Sequence, residues 1–438
     1  MRSLLIGIIL TIMSSITFGI DLDYQNFLYN VIDETGIDPN AGQTTFLTLL
    51  VPMGGRYEAM GTAYTAVPKD TGFINANPAG SSLLENTELS LFHNDWIADS
   101  SMESLSYSIR FNQLGLGFGG KWFRVPFTAY DEFGERRNTV DGIGKGNYME
   151  FLGTANISYN VLHSYYYNGL SIGMNITSGY RYIPKSTYAQ ASDRNSVAIA
   201  STDQNALTIM ADMGLMSQFN LFKFYYDLGK NFTLGLSIQN VGPNVDGDPL
   251  PTRARAGLSW SPIKPVLLSF DYAYPFFTPL SYSSDRNDSI TPEAPHIAFG
   301  NSINLTDFYS IQSGILIKKG LPRMSLGSAF NFKAWEVIVN YTLDLTTQIS
   351  SLDRFSIEAK INLGDLGRMA RQEEAQDLYL KGLQEYAQGN IYSAIDLWEK
   401  SLDLNPSFEP AKEILETARR TAELQKQIEE LEKIENEE

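Results

Sequence analysis

Phe232-Thr-Leu-Gly-Leu-Ser-Ile-Gln239 alternates four apolar residues with four small or polar ones. Successive side chains on a strand point to opposite sides, so Phe232, Leu234, Leu236 and Ile238 share one face and Thr233, Gly235, Ser237 and Gln239 the other. The same period recurs over 170–177, 253–260, 335–343 and 355–363. Along the chain about fourteen such segments are found, centred near residues 92, 107, 118, 154, 174, 211, 236, 256, 268, 298, 313, 328, 340 and 358. The mean repeat over 87–363 is about 20 residues, room for spans of ~9–11 residues with turns between them.

A secreted soluble sandwich or propeller would show the same alternation, because a period of two does not distinguish lipid from core. The even count, the unbroken repeat and the aromatic richness (Tyr 24, Phe 24, Trp 5) point instead to an all-β transmembrane barrel of about 14 antiparallel strands. A closed set leaves no edge and satisfies every backbone group, as a bilayer requires. No run of about 18 apolar residues offers a membrane helix. Arg253, Arg255, Glu358 and Lys360 fall on polar faces, where a wet lumen would suit them. Trp96, Trp122, Tyr180, Tyr182, Trp260, Tyr272, Tyr274 and Trp335 lie near segment ends, as interfacial girdles require. Long polar insertions at 126–146, 183–203 and 277–292 each fall between an odd strand and the next even one. They therefore emerge at one end, with short turns and both barrel termini at the other.

Composition narrows the function classes. A net charge of -17 argues against nucleic acid as partner. Three histidines and no cysteine argue against a metal site, a cofactor held through thiolates, and a lipid anchor on an N-terminal Cys. Gly142-Ile-Gly-Lys-Gly146 lacks the spacer and the Ser/Thr of a phosphate loop. No catalytic constellation emerges, so the expectation is a protein that is not an enzyme and carries no cofactor.

The first residues read as a secretory signal, 1–19: Arg2, an apolar run from Leu4 to Met13, then small and polar residues up to Gly19. Residues 20–86 do not alternate. They include Gly54-Gly-Arg-Tyr-Glu-Ala-Met-Gly-Thr-Ala-Tyr-Thr-Ala66 and, further on, Asn77-Pro-Ala-Gly80. This combination resembles the start of the FadL-type outer-membrane transporters, more closely their PorV/PorQ-like and spirochaetal relatives. Gly55, Arg56, Met60, Gly61, Ala63, Thr65 and Ala66 carry the resemblance, followed by Asn77, Pro78, Ala79 and Gly80. It covers roughly residues 50–363. What it implies is a fourteen-stranded barrel, 87–364, whose segment 20–86 folds into the lumen as a hatch. It further implies a place in the bacterial outer membrane, among its lipids, and hydrophobic small-molecule cargo, long-chain fatty acids being the best-known example. Small Gly and Ala suit tight backbone packing in a narrow lumen, Asn-Pro is a turn signal, and Arg56 has the charge to pair with a lumenal carboxylate. The family's cargo-contacting residues are not readable as a motif here.

Near Gly364 the composition breaks: residues 365–438 hold 27 charges in 74 residues. Gly382, Gly389, Ala394, Trp398, Leu402 and Pro406 fall at the spacings of a tetratricopeptide repeat, with helices at about 368–388 and 391–404 and a covering helix from about 407 to 434. Lys381 and Glu385 stand where Leu and Tyr are usual. A plain amphipathic hairpin remains the alternative. Barrel parity puts this tail in the periplasm, where it would meet a protein partner. The leading expectation is transport of hydrophobic small molecules; the alternative is a PorV-like scaffolding barrel working through the tail or the outer loops.

Overall fold

The computed structural model describes residues 44–437 apart from 97–98, 129–144, 162–168, 184–185, 194–195, 203–204, 228, 279–291 and 346–351. The signal segment 1–19, residues 20–43 and most of the insertions 126–146 and 277–292 lie outside the described residues.

Alternation becomes strand at every expected place. β1 is Glu88–Asp95, β2 Ser101–Phe111, β3 Leu114–Thr128, β4 Lys145–Val161 and β5 Leu170–Tyr182. A separate two-stranded sheet follows, β6 Ser186–Asp193 with β7 Ser196–Thr202. Then come β8 Ala206–Phe219, β9 Phe232–Val241, β10 Arg253–Trp260, β11 Val266–Pro275 and β12 His296–Asn304. β13 Tyr309–Lys318, β14 Leu321–Asn331, β15 Trp335–Asp344 and β16 Leu352–Asn362 complete the set. Fourteen of these form one closed barrel, in which β5 pairs with β8 across the β6–β7 hairpin. β1 pairs antiparallel with β16, Leu91 opposite Ala359, and this closes it. The insertion 183–203 is thus a hairpin in its own right rather than an irregular loop. At the end where the barrel's two termini meet, Thr87 N–H donates to Gly364 O at 2.7 Å and Leu363 N–H to Thr87 O at 2.8 Å.

Polarity is inverted relative to a water-soluble sheet. On β9, Leu234, Leu236 and Ile238 are 45%, 54% and 46% exposed, while Thr233, Ser237 and Gln239 are 3–4% exposed. On β16, Phe355 and Ile357 face out, and Ser356, Glu358 and Lys360 are buried inside. A belt of exposed Leu, Ile, Phe and Met around a polar interior has the physics of a wall in hydrocarbon. The soluble sandwich is excluded. Trp122, Tyr180, Tyr182, Tyr272, Tyr274 and Trp335 face outward as girdle residues should. Trp96 does not: it packs inward near Val51 and Phe92, with the Arg354 guanidinium 3.8 Å from its ring centroid.

The interior is largely occupied by the chain itself. Residues 44–87 fill it, with α1 at Gly55–Ala59, α2 at Phe73–Ala76 and a 3-10 turn at Pro78–Leu83. Arg255, Glu358 and Lys360 are therefore buried against this segment, not solvated, while Arg253 is buried beside Gln239 of the wall. Tight seating requires glycine on the wall. A Cβ on Gly314 would lie 2.1 Å from Gly61 N, one on Gly173 2.3 Å from Pro78 O, and one on Gly235 2.2 Å from Thr65 O.

Beyond the barrel, α3 Arg368–Ala387, α4 Ile391–Leu404 and α5 Glu409–Glu437 form a small helical module. Gly389, at φ 85°, makes the tight turn between the first two, and Pro406 follows the end of α4. Trp398 is fully buried with Ala394, and its indole donates to Tyr379 O at 3.1 Å. A Cβ on Gly382 would come within 2.3 Å of the Trp398 Nε1, so glycine there makes room for the ring. Leu402 packs at the edge of the same cluster, and Leu415 and Ala418 of α5 cover it.

Candidate functional site

Every barrel strand touches the lumenal segment. Asn94 of β1 donates to Glu58 at 3.0 Å, and Arg110 of β2 to Leu84 O at 3.1 Å. Ser81 meets Ser158 of β4 at 2.6 Å, Ser237 of β9 donates to Ala76 O at 3.2 Å, and Asn340 of β15 to Gly55 O at 2.9 Å. Strand glycines continue the circuit, Gly115 on β3, Gly173 on β5, Gly214 on β8, Gly300 on β12, Gly314 on β13 and Gly327 on β14, and Arg255 on β10, Asp271 on β11 and Glu358 on β16 complete it. A segment in contact with all fourteen strands of a closed barrel, on their polar faces, is a plug.

Charge fixes its seat at two places. On one side Arg56 pairs with Glu336 at 2.5 Å and lies 3.8 Å from Asp70, which also pairs with Lys360. Burial pushes the Asp70 carboxyl up, but Lys360 and Arg56 more than offset this and hold it at about 2. The Gly55 N–H donates to Glu358 at 2.6 Å. Across the lumen Asp271 of β11 accepts from Tyr64 N–H at 3.0 Å, Thr65 N–H at 2.9 Å and the Thr65 hydroxyl at 2.6 Å. The Arg255 guanidinium pairs with Asp271 and donates to Thr62 O at 2.5 Å and Tyr57 Oη at 2.7 Å.

The motif residues come together here. Met60 is fully buried, and its carbonyl would lie 2.7 Å from a Cβ on Gly300. Gly61 sits at φ 62° against the Gly314–Ile315 backbone. The Asn77 side-chain amide donates to Thr65 O at 2.8 Å and Leu215 O at 3.0 Å, and its oxygen accepts from Ala79 N–H at 3.1 Å. Pro78 opens the 3-10 turn, and Gly80 leaves room for Phe73. Asp271, Glu58 and Asp70 are the anchors that sequence reasoning missed. Asp271 had one readable signal, an acid on the polar face of an alternating strand.

Above the plug, at the barrel end opposite the termini, lies a cavity of about 640 Å³. Phe46, Leu50, Val51, Phe123 and Val125 give it an apolar side over β1–β5. Arg253, Lys318 and Arg323 line it from β10, β13 and β14, and Arg181, Glu150, Asp248 and Glu293 share its wall. Lys318 pairs with Glu293 at 2.6 Å and Arg323 with Asp344 at 2.7 Å. Arg253 donates to Gln239 at 2.8 Å, and among the described residues no carboxylate lies within 4.0 Å of its guanidinium. A second, strongly apolar depression of about 890 Å³ marks the wall around Gly120 and Gly153, where Trp122 stacks on Phe151 with centroids 5.8 Å apart.

Fold and site define a plugged fourteen-stranded barrel with an apolar belt and an amphipathic cavity at the end opposite its termini. Residues 32–365 match the uncharacterised protein family UPF0164, and the chain belongs to that family. Two UPF0164 proteins of Treponema pallidum (strain Nichols) are similar to it. One is 27% identical over 399 residues, 88% of this chain and 85% of its own, and the other 25% identical over 401 residues, 86% and 75%. Among solved structures, the TodX monoaromatic hydrocarbon channel deltaS2 mutant shares the fold, with a TM-score of 0.50 and 11% identity over 71% of this chain and 99% of its own. The Ralstonia pickettii toluene transporter TbuX follows at 0.47 and 15%, covering 71% and 98%, and a Pseudomonas aeruginosa FadL homologue at 0.43 and 11%, covering 71% and 98%.

Proposed function

We propose that the chain is exported by its 1–19 signal to the bacterial outer membrane and there admits hydrophobic small molecules with an anionic end, long-chain fatty acids foremost. The observation that carries this reading is the outer cavity, where an apolar side faces Arg253, a buried cation without a carboxylate partner among the described residues. An alkyl chain would gain about 25 cal/mol per Å² of surface it buries there, while its carboxylate would meet a guanidinium built for planar anions. Residues 44–87 act as the hatch below, and no chemistry is performed on the cargo. Labelled fatty-acid uptake into liposomes holding the purified barrel tests this. Uptake above that of empty liposomes, reduced by Arg253→Ala, supports it, and uptake equal to empty liposomes refutes it.

A second reading, a scaffolding barrel, is favoured by the tightly seated polar plug and by the helical module. On this reading α3 and α4 form a single tetratricopeptide-like pair in the periplasm that recruits a protein partner. Tyr392 and Leu380 stay exposed on it, and one pair is fewer than the three repeats that normally bury such a surface. Truncation after Gly364 should then abolish crosslinks to periplasmic proteins while the barrel still inserts.

A further inference from the structure

At the barrel end that carries both termini, turns such as 112–113 and 332–334 are short, and one longer connection is described almost throughout. Between β8 and β9 run twelve residues, Asn-Leu-Phe-Lys-Phe-Tyr-Tyr-Asp-Leu-Gly-Lys-Asn over 220–231. Phe222, Phe224 and Tyr226 in it are 69%, 71% and 95% exposed. The turn is nevertheless well held. Lys223 Nζ donates to Asp227 O and Gly229 O at 2.5 Å each, Leu221 N–H donates to Asn231 Oδ1 at 2.9 Å, and Phe224 N–H donates to Pro262 O at 3.0 Å. Phe222 is kept at φ 44°, a left-handed conformation that bulky residues avoid. A turn held by these bonds with its aromatic rings out in water calls for something to cover them.

We propose that this turn is a membrane foot, its aromatic rings seated among the phospholipid headgroups of the periplasmic leaflet. The proposal rests on the reading of the barrel as membrane-spanning. The occupant follows from where the turn lies. Trp260 is on the outward face of β10, and its indole N–H donates to Leu221 O at 3.1 Å, so the backbone of the turn folds against the outside of the wall. Phe219 and Phe232, the strand ends that feed the turn, have ring centroids 4.9 Å apart. Above them the lipid-facing residues Met213, Leu234 and Leu236 continue the same surface. The exposed rings are thus the lower edge of the apolar belt. Aromatic rings favour the bilayer interface, and Tyr can keep its hydroxyl in the wet zone while the ring enters the dry one. Neither of the two cavities described above includes these rings.

The chain has no cysteine, so one nitroxide label reports one site. Tyr226→Cys, Leu236→Cys and Glu385→Cys would each be labelled in the full chain and reconstituted into phosphatidylcholine–phosphatidylglycerol vesicles. Collision rates with oxygen, which partitions into lipid, and with a water-soluble nickel chelate are then compared. The expected result groups Tyr226 with the lipid-facing Leu236: good oxygen access, and nickel access about three-fold or more below that at Glu385 in the helical module. Nickel access at Tyr226 equal to that at Glu385, with Leu236 still shielded, overturns the foot and leaves the barrel reading intact. Shielding of Tyr226 from both reagents also overturns it, because a protein surface would then cover the turn. Nickel access at Leu236 itself removes the membrane reading and the foot with it.

Discussion

Replacing Asp271 by alanine should unseat the plug while leaving the barrel closed. The carboxylate is 2% exposed and accepts three hydrogen bonds from Tyr64 and Thr65 of the lumenal segment, besides its pairing with Arg255. Arg255 keeps Tyr57 Oη and Thr62 O as acceptors but loses its counter-charge, and three donors of the segment are left facing a methyl group. Hydrogen bonds to a charged group contribute about 1.5–3 kcal/mol each and do not sum fully, so the seat should weaken by about 4 kcal/mol, roughly a thousandfold in the released population. The assay is reaction of a cysteine introduced at the fully buried Ala63 with a membrane-impermeant maleimide in proteoliposomes. Asp271→Ala should speed labelling by about three powers of ten, and Asp271→Asn, which keeps one acceptor, by less. Labelling within tenfold of the Ala63→Cys parent, with heat-modifiable migration unchanged in all variants, would refute the anchoring argument.

The wall glycines make a steric counterpart: Gly314→Val places carbon where Gly61 N now sits, so Ala63→Cys should label readily in a barrel that still shows heat-modifiable migration. Acid acts on the other anchor. Asp70 is held at about 2, below its ordinary 3.8, so its ion pairs are fully present above about pH 4 and are lost as pH falls through 2; a dithiodipyridine, which still reacts with thiols in acid, should find Ala63→Cys protected at pH 4 and increasingly labelled as pH falls through 2. In the helical module Trp398→Ala should cost about 3–5 kcal/mol and abolish its cooperative melting, measured by circular dichroism on the full chain, with the strand signal retained.

How far the fold can be read ahead of its structure depends on what covers each face. All fourteen barrel strands coincide with alternating segments such as 232–239 and 355–363, because a wall between hydrocarbon and a polar interior writes its two faces directly into the chain. The helical module was legible for a similar reason, since Gly382 opposite Trp398 is a small-to-large match at fixed spacing. What alternation does not encode is the content of the lumen. Arg255 and Glu358 look the same whether water or the Gly55 and Thr62 backbone meets them, so a wet setting was expected for side chains that meet the plug. Beyond its place on a polar face, Asp271 carried no signal of its role in the sequence because its partners lie some 206 residues away in the chain. The β6–β7 hairpin was missed within a polar insertion because it belongs to neither face of the barrel.

Single-channel conductance of the full chain against a deletion of residues 50–80, in planar bilayers, tests most directly whether the lumenal segment is what closes this barrel. The account predicts a silent full-length protein and a folded deletion variant with steady, large-conductance openings. Equal conductance from both would mean that the lumen is closed by something other than the segment that touches all fourteen strands.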